Sequence, residues 1–167
     1  MPVAPEREVE AFRVHPPTLW VAILVALLLQ TILPLKVPVA GLMDFPLLVT
    51  VYFTLIRQNK IFGIALGTGL GLMQDALSHG YLGMSGMAKA LVGYLAALAA
   101  ARFNVESLFA RSVVTASLIL LHSLCMVGLR RALLEPPPAF LPLELASAVL
   151  VNVALSLALF PLLDRFR

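Results

Sequence analysis

A chain of 167 residues that is 60% hydrophobic and 13% charged stands well apart from soluble domains, in which about 25% of residues are charged. The net charge of +3 comes from twelve Lys and Arg set singly or in pairs between apolar runs; nucleic-acid binding, which needs a basic patch or stripe, is excluded as a reading. The only cysteine, Cys125, lies within an apolar run, so the chain can form no internal disulfide and offers no Cys-based metal site.

Met1 to Pro17 mixes Glu6, Arg7, Glu8, Glu10 and Arg13 with prolines and reads as a polar tail outside the bilayer. The first apolar run, Thr18 to Leu35, carries Trp20 near its start, where an indole favours the membrane interface, and Pro34 and Pro38 are expected to end it. As a signal peptide it would be cleaved after Ala40, with Pro38 in a position that wants a small residue; an uncleaved anchor fits better.

The second run, Phe45 to Ile56, is short for a bilayer core that needs about twenty apolar residues; starting near Ala40 lengthens it but carries Asp44 along. After the polar turn Arg57 to Lys60, a third span covers Ile61 to Leu77, and Ser78 to Leu82 joins it to a Gly- and Ala-rich fourth, Gly83 to Ala101. A polar loop, Arg102 to Arg111, precedes the fifth span, Ser112 to Leu129. Arg130, Arg131, Glu135 and Pro136-Pro137-Pro138 form the longest internal loop, extended because proline fixes its torsion and lacks a donor; the last span is Leu141 to Leu163.

The expected fold is therefore all-α: a polytopic bundle of six transmembrane helices, with a tail at 1–17, one membrane domain at 18–164 and a short end at 165–167. Lys and Arg near span ends mark the cytoplasmic side. Arg7, Arg13, Arg57, Lys60, Arg102, Arg111, Arg165 and Arg167 fall on one side, against Lys36, Arg130 and Arg131 on the other, so both termini are expected in the cytoplasm. The basic loops could also touch anionic lipid or a filament, but topology alone accounts for them.

A charge near the bilayer centre costs about 2.5–3.5 kcal/mol on insertion scales, so Asp44, Asp75, Lys89, His122 and Glu144 need partners or a purpose. Asp75 and Lys89 flank the third connection. In a hairpin turning near Gly80 they would lie roughly 7 and 13 Å below the turn, within reach of one long side chain. They read as an intramembrane ion pair, either an ion or proton site or a clasp between two helices; no second acidic residue is near in sequence, which favours the clasp.

Gly63, Gly67 and Gly71 recur every four residues and so share one helix face that another backbone can approach closely; packing against the Ala-rich fourth span is preferred over a face for another protein. His122, beside Ser117 and Ser123, is read as a hydrogen-bonded interior histidine, because one His without further ligands is weak evidence for a metal. Asp44 and Glu144 are expected to reach interfacial water. The HExxH, GxSxG and Walker glycine patterns are all missing, so no catalytic, cofactor-binding or metal residue is assigned.

The stretches Gly69-Leu70-Gly71-Leu72-Met73-Gln74-Asp75, Leu77-Ser78-His79-Gly80-Tyr81-Leu82-Gly83 and Lys89-Ala90-Leu91-Val92-Gly93-Tyr94-Leu95-Ala96 resemble the rod shape-determining protein MreD family. Asp44-Phe45-Pro46 at the start of a span ending near Tyr52, and the short charged tail, are similar too. About thirty residues carry the specific likeness, and Ala97 stands where many members have Gly, a change that still permits close helix approach.

The resemblance adds Gly93 and Tyr94 to the packing or partner face. It implies a noncatalytic, multi-pass scaffold of the bacterial inner membrane, without cofactors. Its implied neighbours are an MreC-like bitopic protein, membrane lipid and, indirectly, actin-like MreB filaments and peptidoglycan synthases. The competing expectation is a small-solute-binding subunit of an uptake transporter, built around Asp44, Asp75, His122, Glu144 and Asn152.

Overall fold

The computed structural model describes residues 16–78, 81–103, 105, 107–135 and 142–165. Among them are six α-helices: α1 (Pro16–Lys36), α2 (Phe45–Arg57), α3 (Lys60–Leu77), α4 (Met84–Arg102), α5 (Leu108–Leu133) and α6 (Pro142–Asp164). A 3-10 turn, Pro38–Leu42, stands between α1 and α2. Most of the N-terminal tail, His79 and Gly80 at the turn, the proline triplet and the last two residues lie outside the described residues.

Short connections force successive helices to run antiparallel. Gln58, in the left-handed conformation at φ 53°, ends α2, and the Asn59 side chain at once caps α3 by accepting from the Phe62 N–H at 2.9 Å; capping of this kind satisfies a donor that has no partner inside the helix. Before α4, Gly83 takes φ 97°, a conformation that side chains disfavour.

The segments Pro17–Lys36, Val39–Arg57, Met84–Arg102, Phe109–Leu133 and Pro142–Asp164 are long and apolar enough to cross a membrane. α3 is less apolar, because its four glycines, Gln74 and Asp75 dilute it. Its 18 residues still rise roughly 27 Å, and it packs against α4 more extensively than any other pair of helices does.

α2 is the centre of the bundle. Every residue from Phe45 to Leu55 is buried, as expected of a helix that is apolar all round and enclosed by others. α1, α5 and α6 instead turn most of their apolar surface outward, which in a bilayer is the surface that meets lipid.

Four boundaries differ from the sequence expectation, one of them the end of α5, which runs on to Leu133 and takes Arg130 and Arg131 out of the loop. α1 continues through Pro34 to Lys36: a proline two residues from a helix end removes one hydrogen bond and little else, and the Val37 N–H still reaches the Leu33 carbonyl at 2.9 Å. α5 starts at Leu108 and so absorbs Arg111, because that arginine finds an anion in the bundle. The second span is interrupted at Met43 and Asp44, between the 3-10 turn and α2.

Candidate functional site at a broken membrane helix

An interruption at membrane depth exposes backbone groups that lipid cannot satisfy, and such breaks survive only where protein or a cavity surrounds them. Here side chains from two helices, α1 and α6, and from Asp44 in the break itself supply the bonds. Asn152 of α6 accepts from the Asp44 N–H at 2.7 Å and donates to the Leu42 carbonyl at 2.7 Å. Gln30 of α1 donates to the Met43 carbonyl at 3.2 Å and accepts from the Phe45 N–H at 3.1 Å. Asp44 caps α2 through Oδ1, which accepts from the Leu47 N–H at 3.0 Å.

The second oxygen of Asp44 does other work. Oδ2 lies 2.7 Å from Nζ of Lys89, whose side chain is fully buried in α4. His122 of α5, also buried, places Nε2 at 3.8 Å from the same oxygen, and that nitrogen has no hydrogen-bond partner among the described residues. Three helices, α2, α4 and α5, thus converge on one carboxylate.

This corrects the expected Asp75–Lys89 pair. The Asp75 carboxylate turns to the start of α4 instead, where Oδ2 accepts from the N–H groups of Gly83 at 2.9 Å and Ser85 at 3.0 Å. Gly83 has no side chain to cap the helix, so Asp75 caps it from the neighbouring helix α3, and Lys89 finds its anion 45 residues away along the chain. Asp44 does not sit at an interface reaching for water; it points into the bundle. His122 is interior as expected, but its Nε2 has no hydrogen-bond partner among the described residues. Glu144, in the first turn of α6, is exposed.

Gly63, Gly67 and Gly71 face α4. A Cβ at Gly63 would collide with the backbone of Gly93, one at Gly67 with the backbone of Lys89, and one at Gly71 with that of Gly86. The two helices therefore touch backbone to backbone along three turns, and the seam positions the Lys89 ammonium. Tyr94 lies off this seam and is exposed.

Sequence reasoning missed three positions. Gln30 is an isolated amide in an apolar run, and such a residue signals an interior bond in a membrane helix. Asn152 stood only among the residues of a hypothetical solute pocket, not as a brace for α2. At the opposite end of the bundle, Asp164 accepts from Arg111 Nη2 at 2.9 Å and from the Tyr52 hydroxyl at 2.8 Å, joining α2, α5 and α6; the sequence offered Arg111 only as a loop charge.

Beside the break lies a cavity of about 560 Å³. Gln74, Ser85, Asp44 and His122 line its polar side, and Arg130, Arg131 and Glu144 sit toward the helix ends. Among the described residues no three His, Cys, Asp or Glu side chains gather as a metal ion would require.

The fold and its interior polar node define a multi-pass helical membrane protein organised around a broken helix. The family described as rod shape-determining protein MreD matches residues 13–166, and the chain belongs to that family, a rod shape-determining membrane protein. Among curated proteins and among solved structures, none matches it.

Proposed function

We propose that the chain is a noncatalytic scaffold of the bacterial inner membrane, helping to maintain cell shape and organising lateral peptidoglycan synthesis through an MreC-like partner. On this reading both termini lie in the cytoplasm, the side that the distribution of Lys and Arg favours. The observation that carries this reading is the commitment of five intramembrane polar side chains to structural bonds: Asp44 and Lys89 pair, and Asn152, Gln30 and Asp75 satisfy backbone groups at helix ends and breaks, where reactive chemistry would need them free. The broad apolar outer surfaces of α1, α5 and α6 suit lateral contact with membrane partners.

The test is affinity capture of the tagged chain from membranes of a rod-shaped host, together with cell shape after depletion. Recovery of an MreC-like protein and loss of rod shape are expected; capture of an ATP-binding-cassette module without it would sink the scaffold reading. Topology is checked separately with an impermeant thiol reagent in a Cys125→Ser background: Leu134→Cys should label in intact cells and Asn59→Cys only after permeabilisation.

One observation favours the second reading, a small-solute-binding subunit of an uptake transporter. The cavity beside Asp44 has a volume within the range of roughly 300–1,000 Å³ typical of ligand sites. That reading requires a bound solute and the transport module.

A further inference from the structure

The cavity is more than a gap between helices, because its polar groups are not all used up by the fold. His122 is more than nine-tenths buried and lines the cavity, and its Nε2 has no hydrogen-bond partner among the described residues; nor does the buried Oε1 of Gln74. Buried polar atoms in native proteins are normally satisfied, and each exception calls for an explanation.

The rim of the cavity offers a cation to an anion. At the floor the Asp44 carboxylate is offset by its Lys89 partner, and Arg130 stands at the rim beside Arg131 and Glu144. His122, Met126 and Arg130 fall at i, i+4 and i+8 of α5, one stripe on a helix, so the imidazole and the guanidinium line the same wall at two depths. Arg130 and Arg131 occupy the last turn of α5, the level at which a spanning helix meets lipid headgroups. Phosphate oxygens are the anionic acceptors found at that depth, and arginine binds them with paired, charge-assisted hydrogen bonds.

We propose that this cavity is a binding site for a phosphate ester, with the phosphate held at Arg130 and the polar remainder of the headgroup turned down toward Ser85, Gln74 and His122. The ester comes either from a lipid headgroup or from a soluble phosphorylated solute. The site lies at the end of the bundle opposite Asp164, which is the outer leaflet in the orientation proposed above. It stands independently of the scaffold role, and its failure leaves that role untouched.

The experiment uses the full chain in a neutral maltoside detergent, titrated with octyl phosphate, octyl glucoside and inorganic phosphate, with binding read by microscale thermophoresis and the unfolding midpoint recorded alongside. Octyl phosphate is expected to bind and octyl glucoside, of the same chain length, is not. Arg130→Gln and the cavity-filling Ala148→Phe should each weaken octyl phosphate by about tenfold or more, the scale of a lost charge-assisted contact, without lowering the unfolding midpoint of the ligand-free protein. Inorganic phosphate binding as well as octyl phosphate assigns the site to a soluble ester; binding much more weakly assigns it to a lipid. Equal binding of octyl glucoside, or octyl phosphate binding unchanged in both variants, overturns the proposal.

Discussion

The α3–α4 seam and the break before α2 solve the same problem, holding helices together where water supplies no driving force, by opposite means. In the seam, Gly63, Gly67 and Gly71 remove side chains so that backbones touch, and the attraction is dispersion over a long contact. At the break, Asp44, Lys89, Asn152 and Gln30 add polar groups to repair missing backbone bonds. The seam depends on shape and is indifferent to charge; the break depends on charge and donor count. Lys89 belongs to both, with its backbone against Gly67 and its ammonium on Asp44.

The sharpest way to separate them is Lys89→Met, which keeps the seam and strands the Asp44 carboxylate. Removing one partner of a buried pair costs about 3–5 kcal/mol, so a marked drop in the unfolding midpoint in detergent is expected. Lys89→Met with Asp44→Asn should recover much of it. A double variant no better than the single one would show that the pair carries no coupling.

Next in size is Gly67→Leu, which attacks the seam alone. Overpacking typically costs about 1–3 kcal/mol, and here the upper end or beyond is expected because the clash is with backbone. Gly69→Leu, whose Cβ would meet open space, is the matched control and should be close to neutral. Comparable losses in the two would dissolve the distinction between the faces of α3.

Asn152→Leu removes the brace on the break and leaves the Asp44 N–H and Leu42 carbonyl without it; unsatisfied buried groups cost about 1–3 kcal/mol each. Asn152→Asp keeps the acceptor for the Asp44 N–H but turns an oxygen toward the Leu42 and Ala148 carbonyls and sets a second carboxylate beside Asp44, so it is expected to lose at least as much. Hydrogen exchange at Asp44 gives a local readout, faster in Asn152→Leu while the seam amides of α3 keep their protection.

The smallest effect belongs to the far end of the bundle. Arg111→Gln breaks a pair in which the Asp164 side chain is 31% exposed, and partly solvated pairs contribute at most about 1 kcal/mol. A midpoint shift as large as that of Lys89→Met would mean that this end, and not the break, anchors α5 and α6.

The six helices were legible because apolar stretches separated by charge and proline need only composition to be read. The short second span was legible as a difficulty: a run too brief for the bilayer, unless it took Asp44 inside. Asp44-Phe45-Pro46 is also a helix start, an Asp cap followed by a proline in the first turn, and together the two signals locate the break. The partner of Lys89 was not legible, because a hairpin argument weighs neighbours in sequence, whereas Asp75 was claimed by the bare N–H groups of α4. The face carried by Gly63, Gly67 and Gly71 followed from spacing alone, since a repeat of four residues needs no knowledge of the partner helix. The cavity was legible only through the competing transporter expectation: of the five residues named for it, Asp44, His122, Glu144 and Asn152 line the cavity and Asp75 does not.

The break also orders events in time. Asp44 leaves the ribosome 45 residues ahead of the lysine that neutralises it and 108 residues ahead of the asparagine that completes its backbone. A nascent chain holding only α1 and α2 has Gln30 in hand but no cation for Asp44, a charge that costs about 2.5–3.5 kcal/mol near the bilayer centre, so the second segment is expected to insert less fully alone than after the glycine hairpin brings Lys89. The bonds at the centre of the bundle are complete only once α6 has been made.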